Sequence, residues 1–497
     1  MGISRRKLAL KLTAAFAMTG LVACGATGGS GVVQAAPSTA ANAISQTDKA
    51  QGAKAHPELL AEFGGEVSGS QANYVEAVGK TIAVQSGLSN ARGDFTVTLL
   101  NSPINNAFAI PGGYVYVTRQ LASLMNNEAE LAAVLGHEVG HVAARHSAKR
   151  QKTATRNSIL GALGSVLSGV LLGDNAFGQL GQRVFSQGSQ LLTLQFSRSQ
   201  ELEADNLGIA YLRKAGYDPR AMATVLESLA RQDALEARLR GTANQVPEWA
   251  STHPNPASRV RDALRTAGAN ADGLTKRDAF LSGINGLTYG DDPRQGIVEG
   301  LTFRHPELRF AFEAPQGFYL VNGTQAVSIN GQSGKAEFTG GRIEGSLDSY
   351  VGKVFAGLSS GQAQIAPQAL QSTTVNGMPV RYATARAQGG SGPVDVTVFA
   401  YDFGGGQAYH FTAITQAGNA GVFNPMFRSL RRLSASEVGE IKPRRISVVT
   451  VGAGDTVQSL AARMAYKDAP LERFLVLNGL QSDARLTPGQ KVKIVTQ

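Results

Sequence analysis

The stretch Glu128 to His146, EAELAAVLGHEVGHVAARH, limits what this chain can become more than any other, because it spells a helix carrying two imidazoles and a carboxylate at fixed spacing. Asn127 stands where an N-cap belongs, and Glu130 holds the position that completes a capping box. Leu131, Leu135, Val139 and Val142 recur at helical spacing as an apolar stripe, while His137 and His141, four residues apart, share a different face. Two neutral imidazoles so placed reach one Zn²⁺ ion. Glu138, turned about 100° from His137 around the helix axis, projects toward the ion's open side, where it is suited to act as a general base.

A second helix is expected over Arg198 to Ala215, stopped by Gly216, with Asp218-Pro219 opening the next. Glu201 and Asp205 lie four apart on it and share a face. Glu201 can complete the three-ligand set that a catalytic zinc needs, and Asp205 is suited to fixing the tautomer of a ligating imidazole. Glu203, between them, reads as part of a solvated acidic face.

A chain of 497 residues, 43% hydrophobic and 17% charged, is globular in composition and too long for one ordinary core, so several domains are expected. The net charge of +10 invites a nucleic-acid reading, but four of those charges (Arg5, Arg6, Lys7 and Lys11) fall in a leader without acids. No dense Lys/Arg block interleaved with aromatics exists elsewhere, which excludes nucleic acid as the expected partner. Residues 1–23 form a secretory leader: a basic start, then an apolar run from Leu12 to Ala23 too short to cross a bilayer comfortably. It ends in Leu21-Val22-Ala23-Cys24, which resembles the lipobox of bacterial lipoproteins. Cys24 is the chain's single cysteine, so it cannot form an intrachain disulfide and is expected to carry the lipid. Gly25 follows in place of an acid, which by the same resemblance points to the outer membrane; Ser4-Arg5-Arg6 reads as an ordinary basic start to the leader.

Residues 24–53, rich in Gly, Ala, Ser, Thr and Gln, read as a flexible tether. Order is expected from residue 54, with a helix through Tyr74, Val75, Val78, Ile82 and Ala83 and a strand at Phe95 to Leu100. Two extended pieces follow around the Pro111-Gly112-Gly113 turn, and an edge strand there could pair with an extended peptide. The apolar run Ile159 to Leu172, broken by Gly161, Gly164 and Gly169, is too short for a membrane span and reads as a lid or a buried helix.

NNAFAIPGG, ELAAVLGHEVGHVAARH, SRSQELEAD and STHPNPASR, in this order, resemble the HExxH metallopeptidases that include the CAAX prenyl proteases, the heat-shock membrane protease and the periplasmic BepA-like proteases. The resemblance covers about Lys54 to Leu264. It implies His137, His141 and Glu201 as ligands of one zinc per subunit, Glu138 as general base and Asp205 as the acid behind the ligands. His146 is not carried over as a ligand: it lies five residues after His141, on another side of a continuing helix. His253 and Arg259 match the positions that stabilise the oxyanion in relatives, and in the BepA-like branch the corresponding histidine can instead occupy the fourth zinc position and hold the enzyme latent. Both roles for His253 stay open here.

Residues 273–297 read as an irregular connector, and residues 298–436 as a small α+β domain with one amphipathic helix through Leu347, Tyr350, Val351, Val354, Phe355 and Leu358 and aromatics destined for its core. Residues 446–497 resemble a LysM module: a strand, two short helices and a closing strand. The expected fold class is thus α+β and multidomain, a mainly helical zincin-type peptidase domain (54–272) with a small sheet, then an α+β accessory domain and a LysM-like domain. The expected function is a lipid-anchored periplasmic zinc endopeptidase on the inner leaflet of the outer membrane, acting on unfolded or misassembled envelope proteins and reaching peptidoglycan through the LysM-like part. The rival reading is a non-catalytic assembly chaperone or cell-wall adaptor.

Overall fold

The computed structural model describes residues 43–147, 196–240, 253, 256–269, 272–358, 365–389 and 392–497. The leader, Cys24 and the apolar run 159–172 lie outside these residues. Chain order begins with α1 (Gln46–Glu62) and α2 (Ser70–Ala83), followed by β1 (Thr96–Leu100), β2 (Ala107–Ile110) and β3 (Tyr114–Thr118). Then come α3 (Arg119–Leu124), α4 (Glu128–Ala143), α5 (Arg198–Lys214), α6 (Ala221–Arg240), α7 (Pro256–Ala267) and α8 (Arg277–Ile284). Two of the boundaries expected from sequence shift. The tether reading for 24–53 runs too far, because α1 starts at Gln46, where Ser45 and Asp48 close a reciprocal capping box. The connector is not irregular throughout, because Phe280, Leu281 and Ile284 bury one face of α8.

The three strands form a sheet in the order β1-β3-β2, with β1 parallel and β2 antiparallel to β3, so β2 is an edge. Gly112 and Gly113 both take positive φ (99° and 87°) at the turn that brings Ile110 opposite Tyr114. The helix α4 lies against this sheet and against α2, α5 and α6, and every residue from Glu128 to His141 is buried. Its enclosure exceeds the single stripe read from sequence, because small residues let neighbours close in on its other faces. A Cβ on Gly140 would sit 3.2 Å from the Ala204 carbonyl oxygen, and one on Gly208 would sit 3.2 Å from the His137 nitrogen. These glycines thus set how closely α4 and α5, the helices bearing His137, His141 and Glu201, approach one another.

Thr288 and Arg445 pair across an isolated antiparallel bridge, so the intervening chain leaves and returns at one point. That excursion has its own cores. A seven-stranded sheet runs β7-β8-β9-β10-β6-β5-β4, built from β4 (Phe318–Asn322), β5 (Val327–Gly331), β6 (Gly334–Arg342), β7 (Gln371–Val375), β8 (Met378–Gly389), β9 (Gly392–Asp402) and β10 (Gln407–Gln416). One core of Phe303, Phe310, Phe312, Phe338, Phe411 and their neighbours is aromatic, as expected, and a second forms where α9 (Leu347–Leu358) places Tyr350, Val351 and Phe355 with Val396 and Val398. The C-terminal part follows the expected order of strand, two helices and strand: β11 (Arg445–Thr450), α10 (Val457–Ala461), α11 (Pro470–Leu477) and β12 (Lys491–Thr496), with β11 antiparallel to β12. Its Ile446, Leu460, Phe474 and Ile494 belong to the same apolar cluster as Leu131, Leu135 and Phe280 of the metal-helix region. Among the described residues no helix is long and apolar enough to cross a membrane.

At the root of the excursion, fully buried Arg119 donates to Asn101 Oδ1 at 2.7 Å and to the carbonyls of Thr288 and Gly290 at 3.1 and 2.5 Å, and Asn101 Nδ2 donates to Asp292 at 2.9 Å. Burial works to raise the Asp292 carboxyl, but hydrogen bonds from Arg294 and Asn101 outweigh it and hold the group down at about 2, against an ordinary 3.8. A depressed carboxyl stabilises the fold above its unfolded pKa and loses that contribution as pH falls through the folded value. Asp292→Asn should therefore lower stability at pH 6 by roughly 1–2 kcal/mol, discounted because the Arg294 partner is mostly exposed. The gap to wild type should close between about pH 4 and pH 2. Denaturant melts across that range check it; a gap independent of pH would exclude ionisation of Asp292 as the cause.

Candidate metal centre

Asn127 caps α4 as expected, its side chain accepting from Glu130 N at 3.0 Å. The reciprocal arm closes one residue earlier than in a capping box, on Asn126 N at 2.7 Å. Thus anchored, α4 presents His137 and His141 toward α5, whose Ser197–Gln200 capping box starts the helix one turn before Glu201. His137 Nε2 and His141 Nε2 come within 3.0 Å of one another. The Glu201 carboxylate lies 3.6 Å from the first and 3.4 Å from the second. His253, three residues before α7, brings Nδ1 to 3.3 Å from His137 Nε2 and 3.2 Å from Glu201. Those four residues, all buried, offer donor atoms within 4.8 Å of one another.

The donor chemistry fits a metal ion. Burial, the leading effect, holds His141 well below its ordinary value and so favours the neutral imidazole a metal requires. Burial would raise Glu201, yet the surrounding histidines outweigh it and keep the carboxylate ionised. Asp205 is likewise opposed by burial but held at about 2 by Arg259 and His137. It accepts from His137 Nδ1 at 2.9 Å, the contact expected of an acid that fixes the tautomer of a ligand. Glu138, one residue along from His137, is pushed up by burial, and its Oε1 accepts no hydrogen bond among the described residues. A buried carboxylate oxygen with nothing to accept is costly unless a ligand or water uses it.

All seven residues singled out at this centre come together; Cys24 lies outside the described residues. Arg259 faces the two carboxylates of α5. Its Nη1 donates to Glu201 at 2.5 Å, and its Nε and Nη2 donate to the two oxygens of Asp205 at 2.8 and 2.6 Å. All three nitrogens donate to carboxylates, so the guanidinium holds the acids behind the site. Sequence reasoning missed three neighbours. His146 contacts His141, Glu203 contacts His146, and the Phe196 ring stacks on His141 with centroids 3.9 Å apart. The first two lay in plain view, but their meeting depends on how α4 ends.

Two imidazoles four apart on one buried helix, a carboxylate from a second helix and an acid beside the first imidazole define the class: a metallopeptidase centre of the HExxH-plus-glutamate type. Residues 69–267 match Peptidase family M48 and residues 449–495 match the LysM domain. It is similar to the Beta-barrel assembly-enhancing protease of Escherichia coli O157:H7, 34% identical over 39% of this chain and 38% of that one. It has the same identity to the protein of that name in Yersinia pestis, over 39% and 38% of the respective chains. It is also 33% identical to the Mitochondrial metalloendopeptidase OMA1 of Schizosaccharomyces pombe, over 43% of this chain and 59% of that one. The similarity to the two bacterial relatives thus spans 38% of their length.

Proposed function

We propose that this chain is a zinc-dependent endopeptidase of the bacterial periplasm, tethered by lipid on Cys24 to the inner leaflet of the outer membrane and acting on unfolded or misassembled envelope proteins. The observation that carries the enzymatic reading is the buried convergence of His137, His141 and Glu201 beside the orphaned Oε1 of Glu138. His137, His141 and Glu201 would hold the ion, which when bound supplies Lewis acidity toward the scissile carbonyl and the attacking water. Glu138 takes the proton of that water at Oε1 and delivers it to the departing amine. Asp205 keeps the His137 Nδ1 proton in place, and Arg259 keeps Asp205 and Glu201 ionised and still. The edge strand β2, packed against α4, offers backbone groups to an extended substrate, so the peptide is read by main-chain pairing more than by side-chain pockets. The LysM domain directs the enzyme to peptidoglycan. A chaperone or adaptor without activity would need none of this constellation intact; casein hydrolysis by the purified chain separates the two readings.

His253 is the point at which the centre can be regulated. Its Nδ1 lies 3.3 Å from His137 Nε2 and 3.2 Å from Glu201 while its Nε2 is 3.6 Å from Glu138. This placement favours the latent state, in which the imidazole fills the fourth position and displaces the substrate water. His253→Ala should then raise basal casein cleavage. If the imidazole serves the oxyanion instead, the same variant should lose about 10²-fold or more. The signs are opposite, so one rate comparison decides. For the anchor, Cys24→Ser should yield soluble periplasmic protein and wild type should take up radioactive palmitate; wild type without label would remove the lipid from this account.

A further inference from the structure

We propose that His146, anchored by Glu203, is a positioning residue that fixes the tautomer and ring orientation of His141. On a continuing helix His146 would stand roughly 140° around the axis from His141 and could not reach it. The helix does not continue. Its regular part ends at Ala143, Arg145 N bonds back to Val142 O at 2.9 Å, and Arg145 adopts φ 55°, a left-handed conformation uncommon for a residue with a Cβ. That turn folds the chain under the helix and leaves His146 with no exposed surface, its Nδ1 at 2.8 Å from His141 Nδ1.

The protons on this pair are then determined. Glu203, whose side chain is half exposed, lies 3.1 Å from His146 Nε2, and an ionised carboxylate only accepts, so Nε2 carries the hydrogen. Neutral His146 therefore has a bare Nδ1, which can only accept, and His141 Nδ1 must donate to it. The lone pair of His141 is left on Nε2, the atom that faces His137 and Glu201. Phe196, stacked on the ring at a 24° interplanar angle, blocks rotation out of that plane. His137 is oriented by a carboxylate directly, through Asp205, and His141 by a carboxylate acting through a second imidazole.

The inference rests on His141 as a metal ligand, and the test separates the two claims by reading zinc affinity of the full chain by chelator competition. His146→Ala should bind zinc about 10–100-fold more weakly, the usual cost of losing an outer hydrogen-bond partner of a ligand. His146→Asn puts Oδ1 where Nδ1 was, keeps the acceptor and should recover most of the affinity, a rescue that simple packing at this site does not predict. Glu203→Ala, at a half-exposed position, should weaken binding severalfold and serves in place of His146→Ala if that variant does not fold. His146→Ala or Glu203→Ala binding zinc as wild type does, or Asn no better than Ala, would overturn the positioning role. His141→Ala is the reference. If it keeps wild-type affinity, the ligand reading itself fails; if it loses zinc while His146→Ala does not, only the positioning inference fails.

Discussion

Glu138→Gln should retain its zinc and hydrolyse casein about 10²–10⁴-fold more slowly than wild type, the range expected when a general base is removed. The amide is nearly isosteric with the carboxylate, and Glu138 lies outside the proposed ligand set, so His137, His141 and Glu201 should bind metal as before. What changes is proton acceptance. In the wild type, Oε1 is buried and accepts nothing from the described residues, which leaves it for the attacking water. The amide oxygen can still take a hydrogen bond from that water but cannot take its proton, so binding survives and chemistry stops. Metal content measured beside the casein rate separates this from collapse of the site. A variant with full zinc and wild-type turnover would exclude Glu138 from the mechanism, and one that has lost its metal would mean the carboxylate helps hold the ion.

The metal centre was legible in the sequence because its parts are local. His137, Glu138 and His141 are placed by helix geometry alone, and Glu201 and Asp205 by the same geometry on a second helix. What joins the two helices was not legible. The approach of α4 to α5 depends on Gly140 and Gly208, whose missing side chains carry no periodic signal. The role of His146 was hidden for a related reason, since one left-handed residue, Arg145, reverses the direction that helical spacing predicts. Arg259 was found by family resemblance, but only the coordinates show that its three nitrogens donate to Asp205 and Glu201. The LysM strands and helices were legible as a local pattern. Their union with the peptidase core was not, because Lys493 meets Ser123 across 370 positions of sequence.

That union leads to the second large effect: a chain ending at residue 444 should fail to fold cooperatively, although it keeps every residue of the metal centre. The LysM domain is fused to the peptidase part. Lys493, with no exposed surface, donates to the carbonyls of Ser123 at 2.7 Å, Leu124 at 3.3 Å and Met125 at 2.5 Å, the last acceptors of α3 just before the cap of the metal helix. Backbone bonds of 2.8 Å join Gly286 N to Ile446 O and Ile446 N to Leu287 O, and Arg277 donates to Lys491 O at 2.7 Å. Truncation would uncover Phe280, Leu281, Ile284 and Leu287, now at most 3% exposed. At about 1.5–3 kcal/mol for each such side chain, an upper estimate, the loss rivals the roughly 5–15 kcal/mol by which a protein of this kind is stable. Thermal unfolding and limited proteolysis of the truncated chain provide the measurement, with early cleavage expected around α8. A truncated chain that melts cooperatively near the full-length midpoint would show that the shared cluster is dispensable. If the prediction holds, the position of the LysM domain and the orientation of α4 are tied to one another, because Lys493 joins that domain to the residues just before the cap of the helix bearing His137 and His141.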